Sequence, residues 1–110
     1  MKVLLVVAAA AALWCCSVSC AQPYPVKPLR YVVPFPAGGS PDIVARLLAD
    51  RLGRMWGQQV VVDNRSGAGG TVGAAIVARA APDGYTLFQC NIASNAIAAS
   101  LYAKLPYDVL

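Results

Sequence analysis

The sequence predicts an α/β fold on a parallel sheet, and three observations carry that prediction. Stretches rich in β-branched and aromatic residues alternate with stretches of helical periodicity, in the order strand–helix–strand–helix–strand. Each strand-like stretch ends in a loop of proline, glycine or asparagine before the next helix begins. The helical stretches are long enough to serve as right-handed crossovers, which parallel neighbours require. In such sheets ligands collect beyond the carboxyl ends of the strands.

Residues 1–21 stand apart from the fold. Lys2 is a short positive start, Val3 to Trp14 is an unbroken apolar run too short to span a bilayer, and the residues from Ser17 to Ala21 are mostly small. This pattern predicts a secretory leader over 1–21, with Ser19 and Ala21 at the −3 and −1 positions of a cleavage before Gln22. Lipid attachment at Cys20 competes for the same site, although Ser17 stands where a bulky aliphatic residue is expected.

From Gln22 to Pro28 three prolines enforce an extended lead-in. Leu29 to Val33 reads as the first strand, which Pro34 ends. Ser40 is placed to cap a helix, with Pro41 at its first position and Asp42 in its first turn, where the dipole favours an acid. Val44, Leu47, Leu48, Leu52 and Met55 recur at helical spacing and mark its apolar face, while Arg46, Asp50, Arg51 and Arg54 lie on other faces. Gly57 is the natural stop. Gln59 to Asp63 forms a second strand whose three consecutive valines suit burial on both faces. A loop over Asn64–Gly70, a small-residue helix over Thr71–Ala81, a turn at Pro82–Gly84 and a third strand over Tyr85–Cys90 follow. A loop over Asn91–Ser94 and a short helix over Asn95–Tyr102 complete the pattern.

Composition excludes several chemistries. The 110 residues include no histidine, and behind the leader Cys90 is the only cysteine. Histidine triads, Cys–His dyads, the usual zinc sites and an internal disulfide are therefore ruled out. Cys90 is expected as a small buried residue. The acids form no obvious pair, so no catalytic residue, metal or cofactor is assigned. Nine basic against five acidic residues give a net charge of +4, but the basic residues are scattered and not interleaved with aromatics, which argues against nucleic acid.

Two loops carry the remaining information. Gly67, Gly69 and Gly73 follow a strand and precede a helix, but their spacing is one residue too long for a dinucleotide fingerprint, and no acid ends the next strand. A tight turn with close helix–sheet packing accounts for them. The Pro34–Ser40 loop packs two prolines, two glycines and a helix start into seven positions. Such a corner presents backbone N–H groups at the positive end of a helix, suited to capture of an anion by Gly38, Gly39 and Ser40. Asp42 reads either as a helix-start residue or as a group that orients a ligand or water.

At these residues the chain resembles the extracytoplasmic solute receptors of the tripartite tricarboxylate transporter system, the Bug family. The likeness rests on Tyr24–Arg30, on Val33–Arg46 (VPFPAGGSPDIVAR), on Val61–Gly70 with Gly73, and on Ala81–Leu87 and Ser100–Asp108. It implies a periplasmic-binding-protein-like (type II) parallel-sheet domain, one of two that close on a small organic carboxylate. It further implies ligand contacts from Pro36, Ala37, Gly38, Gly39, Ser40 and Asp42 in the first loop and from Ser94 and Asn95 in the third. The implied partners are membrane transporter subunits or a sensor, the implied compartment the periplasm, and the implied state a monomer. Family members are longer, so residues 22–110 are expected to be the incomplete first domain, without the second, and to bind weakly alone. The competing expectations are a fragment of a Rossmann-like nucleotide-binding enzyme and a non-functional truncated product.

Overall fold

A computed structural model describes residues 23–108. The predicted leader, its cleavage site and Cys20 lie outside the described residues. The elements are β1 (Leu29–Val33), α1 (Ser40–Trp56), β2 (Val60–Asn64), a 3-10 turn (Ala68–Gly70) running into α2 (Thr71–Ala78), β3 (Thr86–Phe88), and a π-helical turn (Ala93–Ile97) running into α3 (Ala98–Leu101).

All three strands are parallel, in the order β2-β1-β3, with Leu29 opposite Val60, Val33 opposite Asn64 and Tyr31 opposite Leu87. The chain steps from β1 to β2 on one side, then back across β1 to β3 on the other. Two right-handed crossovers in opposite directions put α1 and α2 on opposite faces of the sheet. Side chains alternate along β1 accordingly. Leu29, Tyr31 and Val33 pack with Ala45 and Ala49 of α1, and Val32 points to the other face, where Ala74 and Ala75 of α2 are buried. The lead-in is pinned at the amino ends of the strands. There the Tyr24 hydroxyl donates to the Gly84 carbonyl (2.5 Å) and Lys27 pairs with Asp83 (3.3 Å).

The class, parallel pairing and element order follow the sequence, while several details do not. Helix α1 turns its smallest residues to the sheet: Ala45 is 0% exposed and Ala49 is buried, with Leu52 and Trp56 half-buried. Val44, Leu47, Leu48 and Met55, the predicted apolar face, are exposed, Leu47 by 67% and Met55 by 73%. Small side chains allow the helix backbone to lie close to β1, so fit and not hydrophobicity selects the buried stripe. The cap of α1 is the extended Gly39, not Ser40, which is the first helical residue. The helix over 71–81 ends at Ala78, and the third strand spans 86–88 instead of 85–90. Because β3 stops at Phe88, Cys90 lies beyond it and is exposed, not buried. The helical turn after β3 begins at Ala93, so Ser94 and Asn95 lie within a helix and not at its edge.

Candidate functional site

The strand order reverses between β1 and β3, and the loops leaving the carboxyl ends of these strands diverge to opposite faces. This is the topological switch point at which open α/β sheets bind ligands. Three loops meet there. The Arg65 N–H donates to the Val33 carbonyl (2.7 Å) and the Gln89 N–H to the Val32 carbonyl (2.9 Å), fastening the second and third loops to the end of β1. Gly70 sits at the centre with φ +96°. A Cβ there would lie 2.9 Å from Asn91 Nδ2 and 3.2 Å from Pro34 Cβ, so only glycine lets the loops close together. Gly70 and Gly73 thus serve close packing against Pro34, whereas Gly69, at φ +64° with open space around it, serves the turn.

The first loop is braced from beneath by Asp42, which is 3% exposed. Its Oδ2 accepts from the Gly38 N–H (2.9 Å) and from Arg46 Nε (2.9 Å), and its Oδ1 accepts from Asn64 Nδ2 (2.9 Å). Asn64, at the end of β2, also donates to the Phe35 carbonyl (3.1 Å), tying loop to sheet. The reach of Asp42 back toward the residues before the helix is half of a capping box. Hydrogen bonds from Arg46, Gly38 and Asn64, with the Arg46 charge, hold the Asp42 carboxyl down at about 2. Both oxygens are engaged within the protein, which places Asp42 as a brace of the loop.

This geometry alters the expected donor set. The Gly38 N–H is not open to a ligand, because Asp42 takes it. The Gly39 N–H closes a turn over Ala37 and Gly38 onto the Pro36 carbonyl, with Gly38 at φ +87° as such a turn requires. Of the three, the Ser40 N–H is the one without an acceptor among the described residues, and Pro36, Ala37, Gly38, Gly39 and Ser40 are all exposed. In the third loop Ser94 is 0% exposed, and its hydroxyl donates to Asn95 Oδ1 (2.8 Å) while accepting from Asn91 Nδ2 (2.9 Å). Asn91 Oδ1 also accepts from the Ser94 N–H (3.0 Å), and the Tyr107 hydroxyl donates to the Ser94 carbonyl (2.6 Å). Ser94 is therefore internally committed, and the exposed polar side chain of this turn is Asn95, whose Oδ1 accepts from Ser94. The site residues fall into two groups: an exposed first loop, and a third-loop turn held against it through Gly70. Reasoning from sequence missed Arg46, Asn64 and Asn91 as the side chains that set these loops. The Asp42–Arg46 spacing of four on one helix was the legible signal. A separate shallow groove runs between α1 and the outer edge of β2, past Arg46, Ala49, Gln59 and Val61, and none of the predicted site residues lines it.

A doubly wound parallel sheet with its loops gathered at the switch point is shared by several classes of α/β domain, and comparisons with known proteins identify this one as a periplasmic binding protein domain and specify the family. Residues 44–110 match the tripartite tricarboxylate transporter family receptor, TctC. Protein BugT of Bordetella pertussis is 48% identical over 91 residues, covering 82% of this chain and 28% of BugT. A periplasmic transporter of known structure superposes with a TM-score of 0.74 at 48% identity, over 78% of this chain and 29% of that one. An R. palustris protein with adipate gives a TM-score of 0.74 at 40% identity over the same shares. MatC of Rhodopseudomonas palustris with bound malate gives 0.71 at 43% identity, over 76% of this chain and 29% of MatC. The chain belongs to the tripartite tricarboxylate transporter receptor family and spans less than a third of the length of these relatives.

Proposed function

We propose that residues 23–108 form one wall of a carboxylate-binding cleft in a receptor that delivers its ligand to a tripartite tricarboxylate transporter. The observation that carries this reading is the uncommitted Ser40 N–H at the exposed switch-point loop, held in place by the Pro36–Gly39 turn before it. A backbone donor at the start of a 17-residue helix suits a carboxylate oxygen. The Ser40 hydroxyl lies beside it, Pro36 and Ala37 shape the approach, and Asn95 presents a polar side chain from the third loop. Support for the ligand class comes from relatives solved with adipate and malate. The role is that of a receptor and not of an enzyme: binding by amides needs no nucleophile or general base. Residues 1–21 act as the export leader to the periplasm in this reading, and residues 22–110 are the first part of domain 1. The receptor acts as a monomer, with no cofactor, and presents its ligand to membrane transporter subunits or to a sensor.

One wall buries only part of a ligand, so the chain alone is expected to bind malate, succinate or citrate with a Kd of about 1 mM or weaker. Calorimetric titration tests this, and micromolar affinity would contradict the half-cleft. Replacing the matching segment of MatC with residues 23–108 supplies the opposing wall. Malate binding by that chimera is expected within about tenfold of MatC. A cooperatively folding chimera without malate binding would overturn the proposal.

A further inference from the structure

At the amino ends of the strands, away from the cleft, the lead-in is folded onto the turn at Asp83 and Gly84. Lys27 Nζ lies 3.3 Å from Asp83 Oδ2 and 4.3 Å from the centre of the Tyr85 ring, and the Val26 N–H donates to the Tyr85 hydroxyl (3.0 Å). Asp83 Oδ1 accepts from the Tyr85 N–H (3.0 Å), two residues on, which folds the carboxyl forward over the intervening Gly84 peptide. Gly84, at φ +80°, has no Cβ to shield its nitrogen, and its N–H has no acceptor among the described residues. An aspartyl carboxyl laid over an unshielded, unbonded amide is set for ring closure. The other aspartates differ: the amide after Asp42 donates to the Gly39 carbonyl (3.1 Å), and the amide after Asp50 lies inside α1.

We propose that Asp83–Gly84 is a site of spontaneous isomerisation to isoaspartate, restrained by the Lys27 ion pair. The Gly84 nitrogen attacks Asp83 Cγ, an N–Cγ bond forms, and the carboxyl hydroxyl leaves with the amide proton as water, giving a five-membered succinimide. Water then adds to the former main-chain carbonyl of Asp83 and breaks its bond to the Gly84 nitrogen, so the chain continues through Cγ. One water is lost and one is gained, and no other reactant is needed. The departing hydroxyl requires a protonated carboxyl. The Tyr85 N–H bond, and after it the Lys27 pairing, hold the Asp83 carboxyl below its ordinary range against an upward push from desolvation. The Tyr85 bond belongs to the fold that brings the reacting groups together. Lys27 only restrains them, and is therefore the separable brake. The product carries one extra methylene in the backbone beside the Gly84 carbonyl, which the Tyr24 hydroxyl holds, and so loosens the lead-in.

The test ages the full chain for weeks at neutral pH and physiological temperature. Mass spectrometry of the tryptic peptide spanning 80–104 reads the isomer, and protein isoaspartate methyltransferase counts it. The wild type is expected to accumulate a species of unchanged mass and altered retention at Asp83, at least about fivefold above Asp50, whose side chain is more exposed at 61%. Lys27→Gln should raise the rate at least about threefold as the protonated fraction grows, whereas Lys27→Arg, which keeps the charge, should stay within about twofold of the wild type. Asp83→Glu, whose longer side chain cannot close a five-membered ring, should show no isomer at that position. Absence of the isomer at Asp83, or a level no higher than at Asp50, overturns the site. A rate in Lys27→Gln equal to or below that of the wild type overturns the restraint. Should Lys27→Gln not fold by circular dichroism, added salt on the wild type decides, since it screens an exposed ion pair. Faster isomerisation supports the brake, and an unchanged rate contradicts it.

Discussion

Asp42 gathers three donors that originate in three different segments: the Gly38 amide of the loop, Arg46 of α1 and Asn64 of β2. Its carboxyl is held at about 2, below the ordinary carboxylate range, so the native state favours the ionised form. The stability this supplies is fully present above about pH 4 and is lost as pH falls through about 2. Thermal unfolding of the wild type should therefore worsen between pH 4 and pH 2 more steeply than that of Asp42→Asn. Parallel curves would contradict the brace. Gly38 offers a second residue-level test. Its φ is +87°, yet a Cβ there would meet nothing within 4 Å. Gly38→Ala should therefore cost about 1 kcal/mol by denaturant unfolding, entirely through backbone conformation. Gly70→Ala combines φ +96° with overlap against Asn91 and Pro34, and should cost more, about 2–4 kcal/mol.

At the scale of elements, α1 shows what the sequence discloses and what it conceals. Its start near Ser40, its proline and acid in the first turn and its left-handed Gly57 stop were all legible, because they depend on local conformation. The buried stripe was not, because two stripes share the helix and periodicity favours the larger side chains. Only the closeness of β1 selects Ala45 and Ala49. Ala49→Leu should consequently cost about 1–3 kcal/mol by overpacking, whereas Leu47→Gln should change stability by less than about 0.5 kcal/mol. A reading from hydrophobicity alone predicts the reverse order. The candidate site divides in the same way. The first loop was legible from its prolines, glycines and helix start. The loss of the Gly38 amide to Asp42, and of the Ser94 hydroxyl to Asn95, depended on side chains meeting across loops, which spacing does not report. Strand ends shifted by one or two residues at β3 because no proline marks them, whereas Pro34 marked the end of β1.

At the scale of the molecule, a three-stranded sheet displays Ile43, Val44, Leu47, Leu48 and Met55 along one helix. A contiguous apolar patch of this kind draws partners or dyes. The chain is expected to bind anilinonaphthalene sulfonate, and the double variant Leu47→Gln/Leu48→Gln should lose most of that fluorescence while keeping its melting temperature. Undiminished fluorescence would assign the dye to another surface. The central claim concerns the three amides of the first loop: Gly38 is spent on Asp42, Gly39 on the Pro36 carbonyl, and Ser40 is left for a carboxylate. Amide hydrogen exchange measured residue by residue, with and without saturating malate, reads that division directly. The account predicts that Gly38 is protected in both conditions, while Ser40 exchanges freely alone and slows down with malate. Protection of Ser40 in the ligand-free chain, or exchange there that malate leaves unchanged, would contradict it.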